Sequence, residues 1–314
     1  MTRHVELIEE HLLRWCNALP PGALYAPMSY LLRLPAKRVR PALVLMGCEV
    51  FGGRAEEALG EALGIEIFHN FTLMHDDIMD ASPLRRGEPT VHVKWDANTA
   101  ILSGDAMLLK AHQMMGKNDD VRRIFGRYAL EVCEGQQLDM GFEHRDDVRV
   151  TEYVEMIRQK TAVLLNSALQ IGAAIAGADV QDRERLGSFG EHMGMAFQLR
   201  DDLLDAYGDP ARTGKQKGGD LRNGKKTFLL IRGLERAAEE RWSVMQEELA
   251  KPQGERDVQR MIDAIDRLGV RAEAEAEIAK HDLAARLELD AVRVDDAKKL
   301  PLRAIAERLL GRDH

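Results

Sequence analysis

Apolar positions recur along this chain at intervals of three and four residues, the spacing that lays a single stripe along a helix. Runs of Val, Ile, Thr and aromatic residues bounded by turns, the mark of strands, are scarce, and aromatics make up only 5% of the chain. The pattern predicts an all-α fold. Residues 6–19 read as an amphipathic first helix stopped by Pro20-Pro21. A second helix is expected to follow Pro41, a residue suited to a first helical turn. Long helices are predicted over residues 56–80, 94–115, 122–142 and 182–205. Thr151 is placed as the N-cap of another, with Glu152 and Glu155 in its first turn. The apolar FLLIRGL after Thr227 restarts helix. Beyond Leu234 the chain is strongly charged, and Arg236/Glu240, Asp263/Arg267 and Asp282/Arg286, each four apart, are expected to brace outer helices. No linker, repeat or low-complexity segment interrupts the pattern, so one domain over residues 1–314, a helical bundle, is expected.

Composition narrows the function classes. A net charge of −8 over 314 residues argues against general nucleic-acid binding, which needs a basic face. Cys16, Cys48 and Cys133 are odd in number and far apart; they make neither a disulfide framework nor a zinc site, so a reducing cytoplasm is expected. The first residues, MTRHVELIEEHLLRW, carry acids and histidines through any would-be apolar core and do not read as a signal peptide. Residues 161–178 hold no charge, but Asn166, Ser167, Gln170 and many Ala and Gly make the run weakly hydrophobic. A tightly packed central helix is expected there rather than a transmembrane span.

The chemistry is concentrated in residues 69–91, HNFTLMHDDIMDASPLRRGEPTV. On a helix Asp76 and Asp80 share a face, and Asp77 lies about 100° round. Carboxylates this close repel unless a cation sits among them, and hard oxygen ligands suit Mg²⁺, which shares its shell with water and phosphate. Arg85 and Arg86 add forked donors that match phosphate oxygens. A solvated acidic helix end is the bland alternative. It weakens because the spacing is repeated at Asp201, Asp202 and Asp205, again after an apolar helical segment and before a Gly/Lys-rich loop, residues 208–226. That loop suits phosphate but lacks the spacing of a P-loop. Lys37, Arg38 and Arg40 form a basic knot between two prolines, either a solvated loop or another anion site. Gln136 and Asp139 lie three apart on one face, and Lys160-Thr161 stand at the mouth of the uncharged run, where a snorkelling lysine is the alternative.

Together these motifs resemble the all-trans isoprenyl diphosphate synthases, or polyprenyl synthetases. The resemblance spans Pro35 to about Leu230 and rests on HDDIMD, PLRRG, GQQLD, KT, FQLRDDLLD and GKQKGGD-GKKT in that order. It implies an all-α bundle around a deep central cavity, usually a homodimer, that joins isopentenyl diphosphate to an allylic diphosphate. Asp76 and Asp80 would hold two Mg²⁺ ions on the allylic diphosphate and Asp201 a third, with Asp77, Asp202 and Asp205 completing the two motifs. Arg85, Lys160, Lys215 and Lys225 would bind the allylic diphosphate. Lys37, Arg40, His69 and Arg86 would bind isopentenyl diphosphate. Thr161 and Gln198 would lie beside the reacting carbon, and Gln136 and Asp139 would support the metals. No side-chain base is implied, and His75 is not given that role.

One position departs from the family pattern. Pro35-Ala36 stand where glycine usually precedes the lysine of the first basic motif, and Ala does not take positive φ as cheaply as Gly. Product length in the family is set one helical turn below the first aspartate, here by Phe71 and Thr72. One bulky and one small residue resemble the short-chain enzymes, so a C15–C20 product is expected, leaning to geranylgeranyl diphosphate, with the helix around Met107 as the other candidate floor. A terpene cyclase would normally lack the second DDxxD, a non-catalytic synthase subunit would tend to lose the aspartates, and a calcium-binding acidic protein would not need the basic loops.

Overall fold

A computed structural model of the chain describes residues 2–208 and 217–310. The fold is all-α. In chain order the helices are α1 (Thr2–Ala18), α2 (Ala26–Leu32), α3 (Val39–Val50), α4 (Leu59–Met79), α5 (Val91–Lys94), α6 (Ala97–Gln113), α7 (Asp119–Phe142), α8 (Val150–Ile157), α9 (Val163–Ile175) and α10 (Val180–Tyr207). After the Gly/Lys-rich stretch follow α11 (Gly219–Asn223), α12 (Phe228–Glu239), α13 (Val244–Leu249), α14 (Val258–Arg267), α15 (Val270–Ala291) and α16 (Asp296–Leu310). Among the described residues the sheet is limited to one hairpin, β1 (Leu84–Arg85) paired antiparallel with β2 (Glu88–Pro89). The chain divides into two compact units built from separate stretches. The first takes the described residues of 1–127, 167–187 and 293–301, the second those of 128–166, 188–292 and 302–314.

In the first unit α1 buries Ile8, Leu12 and Cys16, a stripe at intervals of four, while α3 is buried on nearly every side. The uncharged run is packed against protein. A Cβ added at Gly172 would lie 2.0 Å from the Val44 carbonyl oxygen, and one at Gly47 would lie 2.7 Å from that of Leu169. Only glycine lets α3 and residues 167–175 of α9 approach at backbone distance. No helix among the described residues is long and apolar enough to cross a membrane. The stretch expected as one helix over residues 56–80 starts with a 3₁₀ turn, Ala55–Ala58, before α4 proper.

Arg38 separates from the basic knot. Its side chain is 1% exposed and donates to Glu9 Oε1 (2.7 Å), Glu66 Oε1 (2.6 Å) and the Leu32 carbonyl (2.6 Å). Its φ of +48° puts the left-handed turn of the loop at Arg38 itself. Ala36 therefore has no positive φ to adopt, and the glycine missing from the first basic motif is not required there.

The second unit packs Phe142, Tyr153, Met156, Leu199, Leu230, Ile231, Met261 and Ile265 into one core. At the start of α8 the cap position is taken by Arg149, not by Thr151: Glu152 reaches back and accepts from the Arg149 backbone N–H at 3.0 Å. On the outer helices Asp282 and Arg286 pair at 3.1 Å as expected. Arg236 instead bonds Glu239 (2.9 Å) and Glu273 (2.8 Å), and Arg267 lies over the Trp242 ring at 4.2 Å. Glu273 on a neighbouring helix, the i+3 Glu239 and the Trp242 ring took these arginines instead, which i,i+4 counting does not see.

Candidate active site

The first set of groups lies in the first unit. α4 carries its apolar face through Ile67, Phe68, Phe71 and Met74 and ends at Asp80, its C-cap. Asp76 is half-buried, Asp77 buried and Asp80 exposed, so the outer carboxylates of the motif reach solvent and the middle one does not. The hairpin returns the chain to this end. Arg86 and Gly87 both have positive φ, as a two-residue primed turn requires, and the Ser82 N–H donates to the Asp77 carbonyl at 2.9 Å. Arg85 is thereby laid across the motif: its Nε donates to both Asp77 oxygens at 2.8 Å, and its Nη2 stands 3.8 Å from Asp76. Burial raises the Asp77 pKa, the Asp76 charge adds to that, and Arg85 opposes it.

Beside α4 the predicted cations converge. Arg40 Nη1 lies 3.3 Å from His69 Nε2, and Arg86 Nη1 donates to the Leu34 carbonyl at 3.4 Å. Desolvation holds His69 well below its usual range, and Arg40, Arg86, Arg85 and Arg38 push the same way, so the imidazole is neutral at pH 7. Desolvation also lowers Arg40 to about 10, leaving it a cation. Arg40 Nε has no hydrogen-bond partner among the described residues, a buried donor awaiting an acceptor. Lys37 is exposed in the same loop. Donors gathered beside Glu66, which Arg38 holds, make an anion site.

The second set lies in the second unit. Between α8 and α9 the chain widens into a π-turn, Arg158–Ala162, that carries Lys160 and Thr161. Such bulges often mark functional positions. Gly135 makes room for it: a Cβ there would lie 2.3 Å from the Lys160 backbone nitrogen. Lys160 Nζ donates to Asp139 Oδ2 at 2.6 Å, which brings the GQQLD and KT motifs together. Thr161 Oγ1 donates to Gln198 Oε1 (3.3 Å), and Gln198 Nε2 to Asp202 Oδ1 (3.1 Å). The other Asp202 oxygen accepts from the Tyr153 hydroxyl. Burial pushes Asp202 up to about 7, against the pull of the Tyr153 and Gln198 bonds. Burial and Asp202 keep Tyr153 protonated, so it is the donor.

Asp201 is exposed, as Asp76 is half-exposed, and Asp202 is buried, as Asp77 is. Both motifs thus leave the first aspartate open to solvent, partly or fully, and sink the middle one against a protein donor. Asp205 Oδ2 accepts from the Asp220 N–H at 2.9 Å, tying the far side of the Gly/Lys-rich stretch to α10. Lys225 stands 3.9 Å from Asp220. Lys215 lies outside the described residues. Tyr153 was not legible from its spacing, because one tyrosine on the apolar face of a short helix reads as core; its partner is 49 residues away.

Residues 21–265 match the polyprenyl synthetase family model, and the chain belongs to that family. It is 36% identical to the short chain isoprenyl diphosphate synthase of Methanothermobacter thermautotrophicus, over 100% of this chain and 98% of that protein. A solved geranylgeranyl pyrophosphate synthase superposes with a TM-score of 0.92 at 40% identity, over 100% of this chain and 99% of the other. The geranylgeranyl pyrophosphate synthase of Corynebacterium glutamicum, solved with isoprenyl diphosphate and magnesium, superposes with a TM-score of 0.86 at 30% identity, over 98% of each chain. The protein is a prenyltransferase of the short-chain, all-trans type.

Proposed function

We propose that the protein condenses isopentenyl diphosphate with allylic diphosphates and stops at C20, geranylgeranyl diphosphate. The observation that carries the length is the level one turn below Asp76. Phe71, 7% exposed, is wedged against Phe68 (ring centroids 5.6 Å) and His75 (4.8 Å). Thr72 turns its hydroxyl to the His69 carbonyl at 2.8 Å, leaving only a methyl group. One aromatic floor beside one small residue fits a chain longer than one stopped by two aromatics. A C15 stop is the second reading, favoured by Phe125, which stacks on Phe68 at 5.3 Å and stiffens the layer behind the floor.

In this reading Asp76 and Asp80 hold two Mg²⁺ ions and Asp201 a third, with Asp77, Asp202 and Asp205 completing the motifs and Gln136 and Asp139 supporting them. The donor chemistry fits. No three carboxylates, imidazoles or thiols among the described residues converge into a closed cage, and Mg²⁺ characteristically takes one or two carboxylates and fills the rest of its octahedron with water and phosphate oxygens. When bound, the metal stabilises negative charge on the departing diphosphate. Arg85, Lys160, Lys215 and Lys225 bind the allylic diphosphate. Asp77 and Asp139 hold Arg85 and Lys160 in place beforehand, so less ordering is needed when the substrate arrives. Lys37, Arg40, His69 and Arg86 bind isopentenyl diphosphate, the neutral His69 as a hydrogen-bond donor. Thr161 and Gln198 turn their oxygen dipoles towards the allylic cation left by ionisation. The isopentenyl double bond attacks that cation, and the proton lost afterwards goes to the released diphosphate.

The same reading makes the whole of residues 1–314 one catalytic domain of a cytoplasmic homodimer. Ile101, Leu102 and Leu109 stand 42%, 61% and 65% exposed on α6, an apolar face of the kind that subunits cover. Labelled isopentenyl diphosphate tests the reaction. Incorporation into allylic primers that requires Mg²⁺ and stops with EDTA supports the synthase. Cyclised hydrocarbon from an allylic substrate alone would mean a terpene cyclase, and no turnover with any primer a non-catalytic subunit.

A further inference from the structure

Behind Phe71 the packing of α4 on α6 is built around a missing side chain. His75, one turn after Phe71, lays its imidazole over Gly104 of α6. A Cβ on Gly104 would lie 2.2 Å from His75 Nε2 and 2.5 Å from Cδ2, far inside contact distance. From that notch Nε2 meets the Ile101 carbonyl oxygen at 3.2 Å, with Asp105 Oδ1 at 3.9 Å. The ring then stands edge-on to Phe71, centroids 4.8 Å apart and planes at 68° to one another, an arrangement favoured beyond simple area burial. His75 adjoins the first aspartate motif, yet its nitrogen points to α6.

We infer that Gly104 and His75 are positioning residues for product length: the glycine notch seats His75, and His75 holds the Phe71 ring at its level. This rests on Phe71 being the floor. The imidazole is fixed at one end by the Ile101 carbonyl and fills the side of Phe71 towards α6, so the ring cannot swing that way without displacing it. Without the notch the imidazole must leave its seat, and Phe71 loses its neighbour although its own side chain is unchanged.

The test compares product distributions, normalised to total incorporation so that a general loss of activity does not move the readout. Phe71→Ala reports on the floor itself and should lengthen the product. His75→Ala and Gly104→Ala should each shift the distribution towards longer chains by at least twofold in the ratio of longer to wild-type product. In the double variant Gly104→Ala adds nothing to His75→Ala, because the new methyl occupies space the imidazole has vacated and its effect runs through His75. Should Gly104→Ala fail to fold, His75→Ala and His75→Asn carry the test. A longer product from Phe71→Ala with wild-type distributions from both His75 variants overturns the inference and leaves the floor standing. An unchanged product from Phe71→Ala overturns the floor reading itself.

Discussion

Arg38 offers the sharpest test of how the isopentenyl diphosphate loop is built. Its guanidinium is 1% exposed and its partner Glu66 2% exposed, with 2.6 Å between them; Asn70 Nδ2 donates to the same Glu66 oxygen at 2.9 Å. Replacing Arg38 with Met leaves the Glu66 carboxylate buried without its cation and frees the Leu32 carbonyl. Removing one partner of a buried pair costs about 3–5 kcal/mol. At an unfolding entropy of about 2.1 cal/mol/K per residue, a chain of 314 residues melting as one cooperative block would lose about 5–8 °C. Melting of the first unit alone, about half the chain, would roughly double that loss. Adding Glu66→Leu to Arg38→Met removes the stranded charge, and Asn70 keeps its bond to the Glu66 carbonyl, so most of the loss should return. Scanning calorimetry of the two singles and the double gives the cycle. A fall of less than about 2 °C for Arg38→Met, or a double no better than the single, refutes the reasoning. The same variants connect to function. The αL turn at Arg38 stands between Lys37 and Arg40, so the KM for isopentenyl diphosphate should rise more than kcat falls.

Two further outcomes follow from the second unit. Tyr153→Phe removes one of the two described bonds to the buried Asp202; such a bond contributes about 0.5–3 kcal/mol to stability, so the melting temperature should fall by about 1–5 °C, and an unchanged melting temperature would mean Tyr153 is only packing. Glu248 is held by Lys251, Arg260 and the Asp257 N–H, and these bonds depress its pKa to about 2. A depressed carboxylate contributes stability that is fully present above its unfolded value and lost as pH falls through the folded one. The melting temperature should therefore drop between about pH 4.5 and pH 2, a drop that Glu248→Gln flattens; equal slopes for both proteins would contradict the assignment.

Much of this was legible in the sequence because helical periodicity and motif spacing report the same thing. Asp76 and Asp80 share a face by arithmetic alone, as do Asp201 and Asp205, and the all-α architecture follows from the scarcity of alternating runs. Long-range pairing was not legible. Nothing local distinguishes Arg38 from Arg40, two residues apart, yet one is locked to Glu9 and Glu66 and the Nε of the other has no hydrogen-bond partner among the described residues. Spacing alone does not separate the middle aspartate of each motif from its neighbours; in the fold Asp77 faces Arg85 and Asp202 faces Tyr153 and Gln198. Burial alternates within each DDxxD because one helical face is turned inward, a phase that spacing implies but whose partners it cannot name. The same holds for the notch at Gly104, whose meaning comes from a histidine 29 residues earlier on another helix.

The central claim concerns where the chain stops growing. The protein, Mg²⁺ and isopentenyl diphosphate should be incubated with dimethylallyl, geranyl or farnesyl diphosphate in turn, and the products identified by mass. A C20 product from every primer, with farnesyl diphosphate accepted, is the predicted result. A stop at C15 with farnesyl diphosphate refused, or growth beyond C20, would contradict a floor made by Phe71 alone.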